Sequence, residues 1–172
     1  MKKVVLIGYM GSGKSTVAQK LASQLGKVSL DLDELIEKKS GMIIETIFAT
    51  KGEIYFRKLE HELFVEVLKD DNDVIISTGG GTPCYFNNHE LLNSDHVVSI
   101  YLSASVENLY QRLIHEKQKR PLLANLDHTE IKEFIAKHLF DRSFYYNQAT
   151  FKVLVDGKSV DDIAFEIKKL LA

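Results

Sequence analysis

Short apolar runs alternate along this chain with longer stretches in which apolar residues recur every three to four positions. KVVLIG, DVIIST, HVVSIYL and FKVLVD are Val- and Ile-rich with little polar interruption, as strands covered on both faces should be, and KVSLDL reads as a fifth, more polar strand. Between them STVAQKLASQLG puts Val17, Leu21 and Leu25 on one helical face and stops at Gly26. EIYFRKLEHELFVEVLK does the same with Phe56, Leu59, Leu63 and Val67. A last helix is expected from Ser159, with Asp162 completing a capping box and Ile163, Ile167 and Leu170 forming its apolar face. Strand–helix alternation of this kind predicts an α/β fold with a mainly parallel sheet. Two regions break the rhythm: residues 32–69, one long helical excursion, and residues 116–128, a polar segment EKQKRPLLANLDH. Both are candidate lobes over the strand ends, where open parallel sheets bind ligands.

The chain of 172 residues is expected to form one domain, and its 45% hydrophobic content is enough for a sizeable core. No apolar run approaches a membrane-spanning length, and MKKVVLIGYMG runs into glycines and a lysine too early for a signal peptide. A single cysteine, Cys84, excludes a disulfide framework and fits a cytoplasmic protein; a buried, inert thiol is its expected state. The net charge of −2, with scattered basic residues, gives no nucleic-acid footprint. A monomer without membrane or nucleic-acid partners is expected.

GYMGSGKST matches G-x-x-x-x-G-K-[ST] from Gly8 to Ser15, with the required strand before it and helix after it. The backbone around Gly11, Ser12 and Gly13 can curl N–H groups around phosphate oxygens, and the helix N-terminus adds its dipole. Lys14 supplies a mobile charge for the outer phosphates, and Ser15 a hydroxyl for Mg²⁺. Thr16 continues the helix and is grouped with the nucleotide-binding residues. Other nucleotide classes fail on the residues: no aspartate has glycine three positions later, as a GTPase needs, and GGGTPC and GSGKST both miss the final glycine of a dinucleotide fingerprint. His61, His89 and His115 each precede a glutamate without completing a zinc-hydrolase motif. A small phosphate-loop kinase remains.

An acceptor site can be sought on that basis. The strand DVII ends in Ser77 and Thr78 where a metal-serving aspartate is usual, and Gly79, Gly80 and Gly81 follow. LDLDE offers Asp31 and Asp33; two residues apart on a strand they would face one crevice, one for the magnesium waters and one for the acceptor hydroxyl. The alternative makes Asp33 a helix N-cap and Asp31 a solvated punctuation residue. Arg57 and Glu60 in FRKLE read either as an arginine fork for an anionic acceptor or as a surface ion-pair ladder with Glu53. Arg120, before a proline, is either a lid arginine over the transferring phosphate or an ordinary loop charge. Arg142, ahead of an aromatic run, either grips substrate or packs on Tyr145 or Tyr146. The three glycines are either a wall that lets an anionic acceptor approach the backbone or a flexible turn.

Taken in order, GYMGSGKST, DLD, FRKLE, GGG and KRPLL resemble the shikimate kinase family over nearly the whole chain, from Val4 to about Asp156. The resemblance implies a three-layer phosphate-loop kinase fold whose five-stranded parallel sheet has order 2-3-1-4-5, with an acceptor lobe at about 32–60 and a lid at about 113–128. It implies transfer of the ATP γ-phosphate to the 3-hydroxyl of shikimate, in aromatic amino-acid biosynthesis. Lys14 and Ser15 would hold phosphates and Mg²⁺, with Asp31 serving the metal through water. Asp33 would orient or deprotonate the acceptor hydroxyl. Arg57 and Arg142 would grip the shikimate carboxylate beside Gly80, with Glu60 anchoring from behind. Arg120 would be the lid arginine, and Arg112 would lie along the adenine. The chain departs from the family's commoner pattern in TPCYF after the glycines and in DRSFYY, where a proline is missing. A gluconate-type kinase or a nucleotide-binding regulatory module are the rival readings.

Overall fold

A computed structural model describes residues 2–120 and 122–172; Pro121 of the expected lid lies outside the described residues. Strands β1 (Lys3–Ile7), β2 (Val28–Asp31), β3 (Val74–Ser77), β4 (Val97–Ser103) and β5 (Phe151–Leu154) form one sheet. Its order is β2-β3-β1-β4-β5, and every pairing is parallel. β1 is buried along its whole length, as its apolar run implies. Its side chains alternate: Val4 and Leu6 enter one core cluster, Val5 and Ile7 the other. The first core lies under α1 (Lys14–Leu25) and α8 (Val160–Leu171). The second lies under α2 (Leu32–Ser40), α3 (Ile44–Lys51), α4 (Glu53–Lys69), α6 (Val106–Leu113) and α7 (His128–Tyr146), with the short α5 (Asn88–Leu91) beyond β3. The result is three layers, helices on both faces of the sheet.

The helix signals mostly hold. Val17 and Leu21 are buried on α1, and Gly26 caps it at φ 65°. Ser159 and Asp162 form a true capping box on α8, with Ile163 and Ile167 buried, but Leu170 is 37% exposed and Ala164 fills the face instead. The excursion at 32–69 is three helices, broken at Gly41 and Gly52. The polar segment folds into a 3-10 turn over Ile114–Lys119 before α7 begins at its Asp127 capping box. No described helix is long and apolar enough to cross a membrane.

Candidate active site

The loop from β1 to α1 turns back on itself because Gly13 sits at φ 94°, where a side chain would be strained. Lys14 is buried, and its Nζ donates to the carbonyls of Gly8 (2.8 Å) and Tyr9 (3.0 Å). Burial lowers its pKa to about 8, against the pull of Asp33. The Ser12 hydroxyl is buried and has no partner among the described residues. Thr16 is exposed on α1 and lines the cavity next to this loop.

Parallel pairing sets Asp31 beside Ser77, so the carboxylate absent from the end of β3 arrives at the same level from β2. Asp31 Oδ2 accepts from the Ser15 hydroxyl at 2.5 Å, and Ser77 Oγ lies 3.2 Å from Ser15 Oγ. The other oxygen of Asp31 caps α2, accepting from the N–H groups of Asp33 (2.9 Å) and Glu34 (3.3 Å). This corrects the strand argument: β2 ends at Asp31, and Asp33 stands in the first turn of α2. The N-cap is Asp31, not Asp33, because its carboxylate precedes the first free helical N–H groups. Both aspartates nonetheless line one cavity of about 350 Å³ with Lys14, Gly79, Gly80 and Arg120. Burial, then the charges of Asp31 and Glu60, raise Asp33 to about 6.

The glycines each make room for a different polar group. A Cβ on Gly79 would meet Asp33 Oδ1 at 3.1 Å, and one on Gly80 would meet Arg142 Nη1 at 3.1 Å and the Met10 nitrogen at 3.3 Å. On Gly81 it would fall 2.6 Å from Arg57 Nη2. Arg57 is no surface ladder: its side chain is 11% exposed, and Nη1 donates to Glu60 at 2.9 Å, whereas Glu53 is 3.8 Å away. Glu60 is fully buried, and its second oxygen accepts from the Thr82 hydroxyl at 2.9 Å. Arg142 lies over the Tyr9 ring (5.7 Å), and Tyr146, one helical turn on, donates to the Gly80 carbonyl at 2.6 Å. Arg57 and Arg142 thus border the glycine wall outside the cavity's immediate lining. Arg120 reaches the cavity while held by Glu116 (2.8 Å) and touching Met10 Sδ (3.5 Å). Arg112 donates to the Gly11 carbonyl at 2.9 Å, against the phosphate loop.

A profile described as "Shikimate kinase" matches residues 10–172. The chain belongs to the shikimate kinase family. It is 58% identical, over the full length of both chains, to the shikimate kinase of Flavobacterium johnsoniae. The crystal structure of shikimate kinase from Bacteroides thetaiotaomicron superposes with a TM-score of 0.91 at 32% identity, covering 99% of this chain and 98% of that one. Shikimate kinase from Acinetobacter baumannii in complex with shikimate superposes at 0.89 and 31% identity, covering 99% and 93%. The resemblance read from the motifs and the order of the sheet are both borne out. As a member of this family the chain is an enzyme, an ATP-dependent kinase.

Beside these features of a shikimate kinase stand residues that the sequence did not single out. Tyr9 is buried, and its hydroxyl pairs with His138 Nδ1 at 3.0 Å. Burial lowers His138 to about 4, so this pair is neutral and docks α7 onto the phosphate loop. Asn88 is buried, with its amide donating to the Thr82 carbonyl at 2.9 Å and its oxygen 2.6 Å from His61 Nδ1. The Cys84 thiol is half-buried, not fully buried as expected, and burial pushes its pKa up to about 11.

Proposed function

We propose that this crevice phosphorylates shikimate with the following division of labour. The γ-phosphate of ATP passes to the shikimate 3-hydroxyl, giving shikimate 3-phosphate and ADP in the aromatic amino-acid pathway. The phosphate loop, with Gly11, Ser12, Gly13, Lys14 and Thr16, cradles the nucleotide; Arg112 flanks it, and Arg120 covers the transferring group. Asp33 orients the acceptor hydroxyl and takes its proton. Arg57 and Arg142, with Gly79, Gly80 and Gly81 between them, receive the carboxylate. The observation that carries this reading is the convergence of the phosphate loop, Asp33 and the glycine wall on one cavity.

Ser15 and Asp31 suit Mg²⁺: both are hard oxygen donors, and a site with so few protein ligands leaves room for phosphates and water. Bound there, Mg²⁺ would neutralise charge on the β- and γ-phosphates. Residues 32–60 form the acceptor lobe and 113–128 the lid of one domain, acting as a monomer in the cytoplasm without nucleic acid or membrane. An ADP-release assay offered shikimate, gluconate or AMP tests the function. Stimulation by shikimate alone is expected; gluconate or AMP turnover, or ATP binding without any turnover, would replace it with one of its rivals.

The pH profile follows from two groups. Asp33 must be charged to accept a proton, so kcat/KM falls below its value of about 6 in the free enzyme. Lys14 must be charged to hold phosphate, so kcat/KM for ATP falls above its value of about 8. Bound phosphate stabilises the lysine cation, so the alkaline limb of kcat lies at higher pH than that of kcat/KM. Coincident alkaline limbs would remove Lys14 as their origin.

Gly81→Ala is expected to raise the shikimate KM about tenfold or more with little change in the ATP KM, because the new methyl must displace a guanidinium pinned by Glu60. Gly80→Ala meets its neighbours at longer range and should do less. Unchanged shikimate KM values in both variants would reduce the glycines to a turn.

A further inference from the structure

The segment after the glycines departs from the family's commoner sequence, and it folds over Arg57. Residues Thr82–Cys84 make a 3-10 turn closed by the Cys84 N–H on the Gly81 carbonyl (2.9 Å), which delivers Tyr85 in an extended conformation. The Tyr85 ring centre then lies 4.0 Å from Arg57 Cζ, and the Phe56 ring centre lies 5.1 Å from the same atom. In the plane of the guanidinium, Nη1 is committed to the buried Glu60 carboxylate, whose other oxygen is committed to Thr82. The Arg57 Nε is buried and makes no hydrogen bond among the described residues, although the Glu53 carboxylate stands 3.8 Å from it and is the group a substrate carboxylate would displace. Both Nη2 and Nη1 lie in the space that Gly81 leaves, 2.6 and 2.7 Å from where a Cβ would stand, but only Nη1 is committed to Glu60. The edge formed by Nε and Nη2 is the one that accepts a carboxylate through two parallel bonds.

We propose that Tyr85 is a positioning residue for the acceptor: its ring, together with Phe56, restricts the tilt of the Arg57 guanidinium and presents the Nε–Nη2 edge to the substrate carboxylate. This rests on Arg57 as the carboxylate grip. A stacked ring is worth enough to matter, because a partly desolvated cation–π contact corresponds to about a three- to thirtyfold effect on binding. The Tyr85 hydroxyl also neighbours the Glu53 carboxylate, so ring and hydroxyl must be tested apart.

The test compares wild type, Tyr85→Leu and Tyr85→Phe in steady-state assays with shikimate and with its methyl ester, which keeps the hydroxyls and lacks the charge. Tyr85→Leu should raise the shikimate KM about three- to thirtyfold, with kcat and the ATP KM within about twofold of wild type. Tyr85→Phe should restore the wild-type KM, and the Leu penalty in kcat/KM should vanish on the ester. A wild-type KM in Tyr85→Leu overturns the proposal. So does a Phe variant as impaired as Leu, which would assign the effect to the hydroxyl, or an equal loss on acid and ester, which would make Tyr85 a packing residue. Absence of shikimate turnover in the wild type is a different failure: it would overturn the function itself, and this inference with it.

Discussion

Asp33→Asn should lower turnover about 10²- to 10⁴-fold, the usual worth of a positioned general base, and at the same time make the ligand-free protein harder to melt. The two effects share one cause. Asp33 is raised to about 6 by burial and by the charges of Asp31 and Glu60. A carboxyl above its unfolded value of 3.8 contributes stability that is fully present below that value and is lost as pH rises through about 6. At neutral pH the folded protein therefore carries an unfavourable charge that asparagine removes. The gain is on the order of 1–2 kcal/mol after allowance for solvent, or a few degrees in melting temperature. Calorimetry of both proteins at pH 7.5 and pH 4 checks the linkage: the difference should be large at the higher pH and shrink at the lower. The coupled assay checks the chemistry, and turnover within tenfold of wild type would remove Asp33 from the proton transfer.

Arg57→Ala should raise the shikimate KM about 10²-fold or more, since a hydrogen-bonded charge pair is worth roughly 2–5 kcal/mol when one partner is truncated. ATP affinity should hold. The variant also leaves Glu60, fully buried, with only the Thr82 hydroxyl, so a loss of stability of roughly 3–5 kcal/mol is expected as well. Glu60→Gln added to Arg57→Ala separates the two effects. Neutralising the stranded carboxylate should recover much of the melting temperature and none of the shikimate binding. Calorimetric titration of shikimate into the double variant reads this directly; binding close to wild type would show that Arg57 serves the fold and not the substrate.

The elements were legible because their signals are local. A run such as KVVLI, short, β-branched and stopped by glycine, reads as a strand covered on both faces, and Ser159 with Asp162 announces a helix start within four residues. The site was legible where chemistry clusters in short motifs, as in the phosphate loop and the triple glycine. Asp31 and Asp33 share one cavity, but not through the two-residue spacing of a strand: the chain turns into a helix after Asp31, and its carboxylate caps that turn. The buried state of the Arg57–Glu60 pair could not be read from its helical spacing, which a solvent-exposed ladder shares; burial comes from the loop at Thr82 and Tyr85 packing against α4. The docking of Tyr9 on His138 joins residues 129 positions apart, and no pattern in either neighbourhood announces it. The order of the sheet likewise comes from family resemblance, because four similar apolar runs and one more polar run do not say which pairs with which.

The double engagement of Asp31 bears on how acceptor specificity can be changed. One of its oxygens holds Ser15 at the nucleotide end, and the other starts the helix that opens the acceptor lobe. The lobe is therefore not a detachable module. A chimera that exchanged residues 32–60 for the corresponding piece of another kinase would inherit a helix entry angle set by a carboxylate it must share with the phosphate loop. Grafts that keep an aspartate at this junction, and a first helical turn able to donate to it, should retain nucleotide binding. Grafts cut one residue earlier should lose both ligands together.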